Sequence, residues 1–476
     1  MRVRGKRLSV TVFFLSLYFI LSVPAGNTFH GSISASEDGR ITEKDTVGPY
    51  PLTLCSPLEV GMNPVKLSRI DSIVMAGIRA QVFPGCQVLV MKEGKAVYDK
   101  CFGNYTYADS LKVQPTTMYD LASLSKTTGT LIALMKLYDN GQLRLTDKAS
   151  RYLSFLKGTD KEKIIIKELL VHESGLPAYI PFYQMIVEKS GKSSNKVSAE
   201  MSTLSVSNKN RIPGSSLQYK EGMVAGSLSA DYRYQVSDSV FVSNRLHEAA
   251  MQSIARAKLG AKIYNYSCVN FMLLKEVVET ISGMPMDEFL DREFYRPMQL
   301  NHMAYLPLRK YKREQLAPTL KMDVIRRQAI QGYVHDMDAA LLGGVSGNAG
   351  LFASAGDVAM VYQMLLNGGE LNGRRYLGAE TCRIFTTTTS ASGRRGLGFD
   401  KPVQGKSKSS PCCDSAPKAV YGHTGYTGTC CWVDPENQLV YVFLSNRTFP
   451  YDGVNKLAKT GIRTKIQDVI YQSMKN

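Results

Sequence analysis

The strand-like segments fall at the two ends of the chain, and this placement narrows the fold more than any other feature of the sequence. Near the start, "PGCQVLVMKEGKAVYDKCFG" reads as a β-hairpin turning at Glu93-Gly94. Beyond residue 418, "AVYGHTG", "GTCCWVD" and "QLVYVFLSN" read as strands, with Asp434-Pro435-Glu436-Asn437 as the turn between the last two. Helical spacing fills the remainder. "NPVKLSRIDSIVMAGIRA" opens with Asn63 as cap and Pro64 in the first turn, and from Ser123 the residues Leu131, Leu134, Met135 and Tyr138 share one face until Asn140-Gly141. Further helical patterns cover 247 to 258 and 269 to 282, and a closing helix from about 454 carries Ile462, Ile466, Val469 and Ile470. The expectation is an α+β fold: an antiparallel sheet built from both termini and flanked by helices, with an inserted all-helical lobe at about 123–320. The stretch 190 to 216, rich in Ser, Asn and Lys, reads as surface within a longer insertion at about 180–262.

The first 25 residues stand apart. Arg2, Arg4, Lys6 and Arg7 precede an apolar run from Leu8 to Val23, and Val23-Pro24-Ala25 offers small residues for cleavage, the pattern of a secretory signal peptide. At 16 residues the run falls short of the ~20 needed to span a bilayer. The expected order is signal peptide 1–25, a lead segment 26–56 and one catalytic-type domain at 57–472, exported to the periplasm or the exterior with no stable membrane anchor. Without its four leader cations the formal charge of +17 becomes +13. The basic residues are scattered and no nucleic-acid motif accompanies them, so a solvated basic surface is expected and no nucleic-acid partner.

Nine cysteines leave at least one unpaired in a monomer. Counting outward from a turn at Glu93-Gly94 sets Cys86 opposite Cys101, so a bridge there is open. Cys412-Cys413 and Cys430-Cys431 either pair across neighbouring segments or are buried thiols.

"TTMYDLASLSKTTGTLIAL" puts Ser123 and Lys126 three residues apart at the mouth of an amphipathic helix, on one face of one turn. A helix N-terminus favours developing negative charge, and an adjacent amine can accept a hydroxyl proton. The same S-x-x-K spacing recurs at Ser154–Lys157, Ser193–Lys196 and Ser415–Lys418 without that setting. A serine–lysine hydrolase also needs a tyrosine-type element and a polar element on an edge strand. Tyr138-Asp139-Asn140 has suitable letters but lies 12 residues beyond Lys126 on one helix, roughly 18 Å away. Tyr266-Ser267-Cys268 opens another apolar helix and fits better. Lys459-Thr460-Gly461 sits in the closing helix with no strand after it, whereas His423-Thr424-Gly425 precedes a strand, turn and strand.

Together these residues resemble the serine β-lactamase and penicillin-binding-protein superfamily, in its class C-like branch of esterases, D-amino-peptidases and carboxypeptidases. The likeness runs from about 57 to 472 and includes "YDLASLSKTTGTLIAL", "LLVHESGLP", "YSCVNFMLL", "VHDMDAALLGGVSGNAGLFASAGDVAM" and "GHTGYTGTCCWVDPE". The resemblance implies Ser123 as acylated nucleophile, Lys126 as its activator with an amine lowered by burial, and Tyr266 as proton shuttle. It implies an oxyanion hole from the backbone amides of Ser123 and Tyr426, His423 as a catalytic residue that hydrogen-bonds near Tyr266 and helps to bind substrate, and substrate contacts from Cys268, Thr424 and Gly425.

Two departures bear on substrate. Cys268 stands where the family usually has Asn, Asp or Ser, and a thiol is a weak donor and acceptor. His423 stands where the better-known β-lactamases carry lysine, and a partly charged imidazole leans away from strong carboxylate binding. The expectation is an exported serine hydrolase acting through an acyl-enzyme on a peptide, amide or ester, plausibly cell-wall derived, with a true β-lactamase or a non-catalytic penicillin-binding sensor as alternatives. A glycan at the sequon Asn265-Tyr266-Ser267 would block such a site, so the sequon is expected to be unused. His172-Glu173 lacks the second histidine of H-E-x-x-H and no C-x-x-C occurs, so no metal and no cofactor is expected. Oligomeric state is not legible.

Overall fold

The computed structural model describes residues 52–108, 111–188, 218–403 and 410–475; the expected signal peptide 1–25, most of the expected lead segment and the polar stretch 190–216 lie outside the described residues. Five antiparallel strands make the main sheet: β1 (Gly85–Lys92), β2 (Lys95–Gly103), β3 (Tyr421–Thr424), β4 (Cys430–Asp434) and β5 (Leu439–Ser445), in the order β3-β4-β5-β1-β2. The two ends of the chain meet at its centre, where β1 and β5 pair from Cys86–Ser445 to Lys92–Leu439. Both strands are covered on both faces, which is why "QVLVM" and "LVYVFL" read as near-continuous apolar runs.

Five helices pack on this sheet or carry the site: α1 (Arg69–Arg79), α2 (Leu131–Asp139), α3 (Cys268–Ser282), α4 (Ala355–Leu366) and α5 (Ile462–Ser473). Alternation along β1 sends Cys86, Val88 and Val90 into a core that includes Ile70 and Val74 of α1 and Ile466 and Ile470 of α5. Leu89 and Met91 enter the other core, which runs on through α4, α2 and α3. α4 is buried almost all round, and Ser354 Oγ caps it by accepting from the Asp357 amide at 3.3 Å.

The hairpin turns at Glu93-Gly94 as expected, with both residues at positive φ. Its register corrects the cysteine pairing. Met91 opposes Ala96 but Val90 opposes Tyr98, so Val97 is an extra residue in β2. The bulge slips everything beyond it by one place: Cys86 faces Phe102 and Cys101 faces Gln87. A one-residue slip exchanges the faces of the sheet, and the two thiols accordingly belong to different cores. All nine cysteines are free, and Cys412, Cys413, Cys430 and Cys431 are buried thiols.

The lobe carries strands as well as helices. Tyr119–Asp120 pairs with Leu351–Ala353, which pairs with Met303–Tyr305; Val224–Ala225, Val240–Val242 and Tyr234–Ser237 form a second small sheet; Leu320–Asp323 pairs with Gln328–Ile330. The first of these sets the turn that carries Ser123, which begins where Tyr119–Asp120 ends. At the C-terminus, Gly461 at φ +62 separates Lys456–Thr460 from α5, so Lys459-Thr460-Gly461 is a helix end with Lys459 exposed. Among the described residues no helix is long and apolar enough to cross a membrane.

Candidate active site

Asp120 builds the turn that presents Ser123. Its buried carboxylate accepts from the Ala122 amide at 2.8 Å and from the His335 amide at 2.6 Å. Ala122 is thereby held at φ +46, left-handed for a residue with a Cβ, directly before the serine. Ser123 then lies in a 3-10 turn (Ala122–Leu124), followed by a π turn (Lys126–Thr130) that runs into α2. The expected regular first turn is therefore two irregular ones. Thr427 Oγ1 donates to the Asp120 carbonyl at 2.6 Å and Thr429 Oγ1 to the Leu121 carbonyl at 2.9 Å, tying this turn to the loop between β3 and β4. Gly425 sits in that junction: a Cβ there would lie 2.0 Å from Thr429 Oγ1 and 2.3 Å from the Leu121 carbonyl oxygen. The glycine is required by close approach to the nucleophile turn.

Ser123 Oγ accepts hydrogen bonds from Lys126 Nζ and from Tyr266 Oη, each at 2.9 Å. The serine is partly exposed and Lys126 is fully buried. Lys126 Nζ also donates to the Asn348 carbonyl at 3.0 Å and to Cys268 Sγ at 3.6 Å, and lies 5.2 Å from the Tyr266 ring centroid. Burial works to lower this amine, but the Cys268 and Tyr266 side chains outweigh it and raise Lys126 above the ordinary lysine range. The direction is opposite to the lowering expected from burial alone. Burial pushes both the Tyr266 phenol and the Cys268 thiol up, with Lys126 opposing.

Tyr266 precedes α3 and is steadied by the segment that carries His172. Ser267 N donates to His172 Nδ1 at 3.1 Å, Ser267 Oγ to the Pro177 carbonyl at 2.6 Å, and Cys268 N to the Ala178 carbonyl at 3.1 Å. The His172 ring lies 4.6 Å from the Tyr266 ring, and burial holds its imidazole well below the usual histidine range. His172 is legible in the sequence only as a histidine within "LLVHESGLP"; nothing in its spacing identifies it as the support for the tyrosine. Asn265 Nδ2 donates to the Leu176 carbonyl at 3.2 Å.

The opposite wall is β3. His423 is 2 % exposed, with its ring 6.1 Å from that of Tyr266. Its Nδ1 is 2.7 Å from the Thr424 carbonyl and its Nε2 is 3.2 Å from Arg395 Nη2. Burial pushes the imidazole down to about 3, so it is neutral where partial charge was expected. Among the described residues the amide of Tyr426 has no hydrogen-bond partner, and its side chain is flanked by Arg447, whose Cζ is 4.3 Å from the ring, and by His335. Ser123, Lys126, Tyr266 and Cys268 thus touch one another, His423 stands one ring away, and Thr424, Gly425 and Tyr426 continue past it. Arg395 and Asp400, which bond each other behind His423, have no signal in the sequence beyond the charges of "RRGLGFD".

Ser123 Oγ thus lies 2.9 Å from both Lys126 Nζ and Tyr266 Oη, the two groups of the site able to exchange a proton with it. The chain is 31% identical over 427 residues to an Escherichia coli O157:H7 protein named "Putative D-alanyl-D-alanine carboxypeptidase", covering 84% of this chain and 86% of that one. A Salmonella gallinarum protein of the same name is 30% identical, with 84% and 87% covered. Among solved structures, EstCE1, a hydrolase with promiscuous acyltransferase activity, superposes with a TM-score of 0.58 at 18% identity, covering 86% of this chain and 99% of that one. A family VIII carboxylesterase gives 0.56 at 15%, covering 87% and 99%, and these two show likeness of fold alone. The family model described as Beta-lactamase matches residues 70–461, and the chain belongs to that family as one of its serine hydrolases.

Proposed function

We propose that the chain is an exported hydrolase that cleaves small peptides ending in D-amino acids, or amides and esters of similar size, through an acyl-enzyme on Ser123. The observation that carries this reading is Ser123 Oγ held between Lys126 Nζ and Tyr266 Oη. Tyr266 reacts as its phenolate, the form that the neighbouring Lys126 and Arg395 cations favour: as Ser123 Oγ attacks the carbonyl carbon, its proton passes to Tyr266, which becomes the phenol. The amides of Ser123 and Tyr426 receive the oxyanion, an interaction worth ~3 kcal/mol per donor in comparable sites. As the bond to the leaving nitrogen or oxygen breaks, Tyr266 returns the proton to it. Water then attacks the acyl carbon, gives a proton to Tyr266, and Ser123 is released with its hydrogen restored.

The curated relatives' name supports the D-amino-acid peptide class, and the neutral imidazole of His423 supports substrates without a strongly bound carboxylate at that position. Cys268 keeps the place of a substrate-facing polar residue, while its thiol rests on Lys126. Export rests on the basic and apolar pattern of residues 1 to 25.

The test is turnover of D-alanyl-D-alanine peptides, short-chain esters and cephalosporins by the mature protein, with intact mass followed during exposure to a fluorescent penicillin. Peptide or ester turnover that vanishes in Ser123→Ala, with a slow-clearing adduct, is the expected result. A rapidly clearing adduct with cephalosporin turnover assigns a β-lactamase instead, and no adduct with no turnover assigns a binder.

A further inference from the structure

Arg395 is fully buried, directly behind the proposed chemistry. Its Nη1 donates to the Asp400 carboxylate, and its Nη2 donates to the Gly398 carbonyl and to His423 Nε2, both at 3.2 Å. Its Cζ lies 5.6 Å from the centroid of the Tyr266 ring. A guanidinium only donates, so His423 Nε2 must offer its lone pair; the ring proton is then on Nδ1, 2.7 Å from the Thr424 carbonyl. The backbone secures the arrangement, because Asp400 pairs with Gly422 of β3 in both directions, at 2.7 and 3.2 Å.

The charges do not cancel locally. Arg394 Nη2 lies 3.7 Å from the same Asp400 oxygen, so two guanidiniums share one carboxylate and a net positive charge remains behind the site. We propose that Arg395, seated on Asp400, is a positioning residue of the hydrolase: it locks His423 into the neutral Nδ1–H form and holds a permanent positive charge against Tyr266, the charge that a neutral histidine cannot supply.

This deepens the acyl-enzyme reading and rests on it for its kinetic consequence, though not for its structural one. The groups facing Tyr266 are Ser123, Lys126, His172, Cys268, His423 and Arg395. Burial is the largest influence on His423 and pushes its imidazole down; Asp400 pushes it up, Arg395 and Lys126 push it down, and the hydrogen bond to Thr424 pushes it up. Removing Arg395 therefore leaves Asp400 less opposed, which moves the imidazole up, and removes a cation that favours the phenolate of Tyr266.

The experiment is a pH titration of His423 by nitrogen NMR of the imidazoles, assigned with His423→Gln, alongside the pH profile of kcat/KM on a chromogenic ester. In the unaltered protein His423 stays neutral and Nδ1-protonated down to pH ~5. In Arg395→Met it titrates at a higher pH than in the unaltered protein, and the acid limb of kcat/KM moves up by about one pH unit. Asp400→Asn moves that limb the opposite way, and Arg395→Lys restores most of the unaltered profile. A purely structural role would lower activity in both Arg395→Met and Asp400→Asn without shifts of opposite sign. If Arg395→Met does not fold, the directions seen in Arg395→Lys and Asp400→Asn decide. Unshifted imidazole titration in the folded variants overturns the inference, and does so even if the ester is not a substrate. Loss of ester turnover in the unaltered protein, with the imidazole shifts present, overturns the hydrolase reading alone.

Discussion

Lys126 and Arg395 are both fully buried cations within 6 Å of one phenol ring, and they are held in opposite ways. Lys126 has no carboxylate partner among the described residues; a serine hydroxyl, a backbone carbonyl and a thiol surround it. Arg395 bonds a buried carboxylate and two further acceptors. A group that must respond as a proton moves is best surrounded by neutral partners whose hydrogen bonds can be rearranged. A group that supplies only a fixed field is best anchored by an opposite charge, provided the pair is well bonded. The difference between the two cations is thus a difference between chemistry and support.

The largest effect expected from this comparison is at the groups that exchange the proton. Ser123→Ala should lower kcat/KM for whichever ester or peptide is turned over by about 10,000-fold or more, and Lys126→Met by roughly a thousand-fold, measured from initial rates. Thermal unfolding should separate the two cations in the other direction. Lys126→Met removes a buried charge without stranding another, so stability should hold or rise by up to about 2 kcal/mol. Arg395→Met leaves Asp400 with Arg394 at 3.7 Å and the His423 imidazole in place of a directly bonded guanidinium, so stability should fall by about 3 kcal/mol. Equal losses at both positions would break the distinction.

The pH dependence of that second loss sharpens it. Burial pushes the Asp400 carboxyl up, but Arg395 and its neighbours outweigh burial and hold it below the usual carboxylate range. A group with a lowered folded value contributes its stability fully above the unfolded value of ~3.9, and loses it as pH falls through the folded value. The deficit of Arg395→Met, read as a difference in unfolding free energy by denaturant titration, should therefore be largest near neutrality and shrink below pH ~3.9.

The same contrast marks what could be read from the sequence. Ser123 and Lys126 are visible because three residues make one turn, and Tyr266 and His423 because each opens or lies in an apolar element of recognisable period. The sheet is visible because its central strands are the most continuous apolar runs in the chain. What escapes depends on register and on side chains from distant segments. One inserted residue, Val97, reverses the faces on which Cys86 and Cys101 sit. Arg395 and Asp400 flank an ordinary glycine turn, and their role comes from the pairing of Asp400 with Gly422, which no local pattern announces. Burial alone predicts a lowered amine for Lys126, whereas the thiol and phenol beside it decide the direction.

A middle-sized effect tests whether the strand wall is held to the serine wall as rigidly as the contacts suggest. Gly425→Ala places a Cβ against the Leu121 carbonyl and Thr429 Oγ1, backbone on one side and a bonded hydroxyl on the other, so neither can withdraw cheaply. The expected outcome is a stability loss of about 2 kcal/mol with displacement of the Tyr426 amide, and a kcat decrease of about 100-fold, the order set by losing one oxyanion donor. KM should change far less than kcat, because the lost interaction belongs to the transition state.

The smallest effect concerns the strain under Ser123. Ala122 at φ +46 holds a conformation that costs an alanine about 1 kcal/mol and a glycine little. Ala122→Gly relieves that cost but enlarges the freedom of the unfolded chain, which takes back about 0.4–1 kcal/mol. Stability should therefore change by less than about 0.5 kcal/mol, within a degree or two of Tm. Activity should still fall several-fold, because a glycine no longer forces the chain through one narrow turn between Asp120 and Ser123, and a loosened Oγ meets Lys126 and Tyr266 less often at 2.9 Å. If Ala122→Gly were clearly more stable and fully active, the left-handed turn would be a tolerated accident of the chain path, and the preorganisation of Ser123 would rest on the Asp120 carboxylate alone.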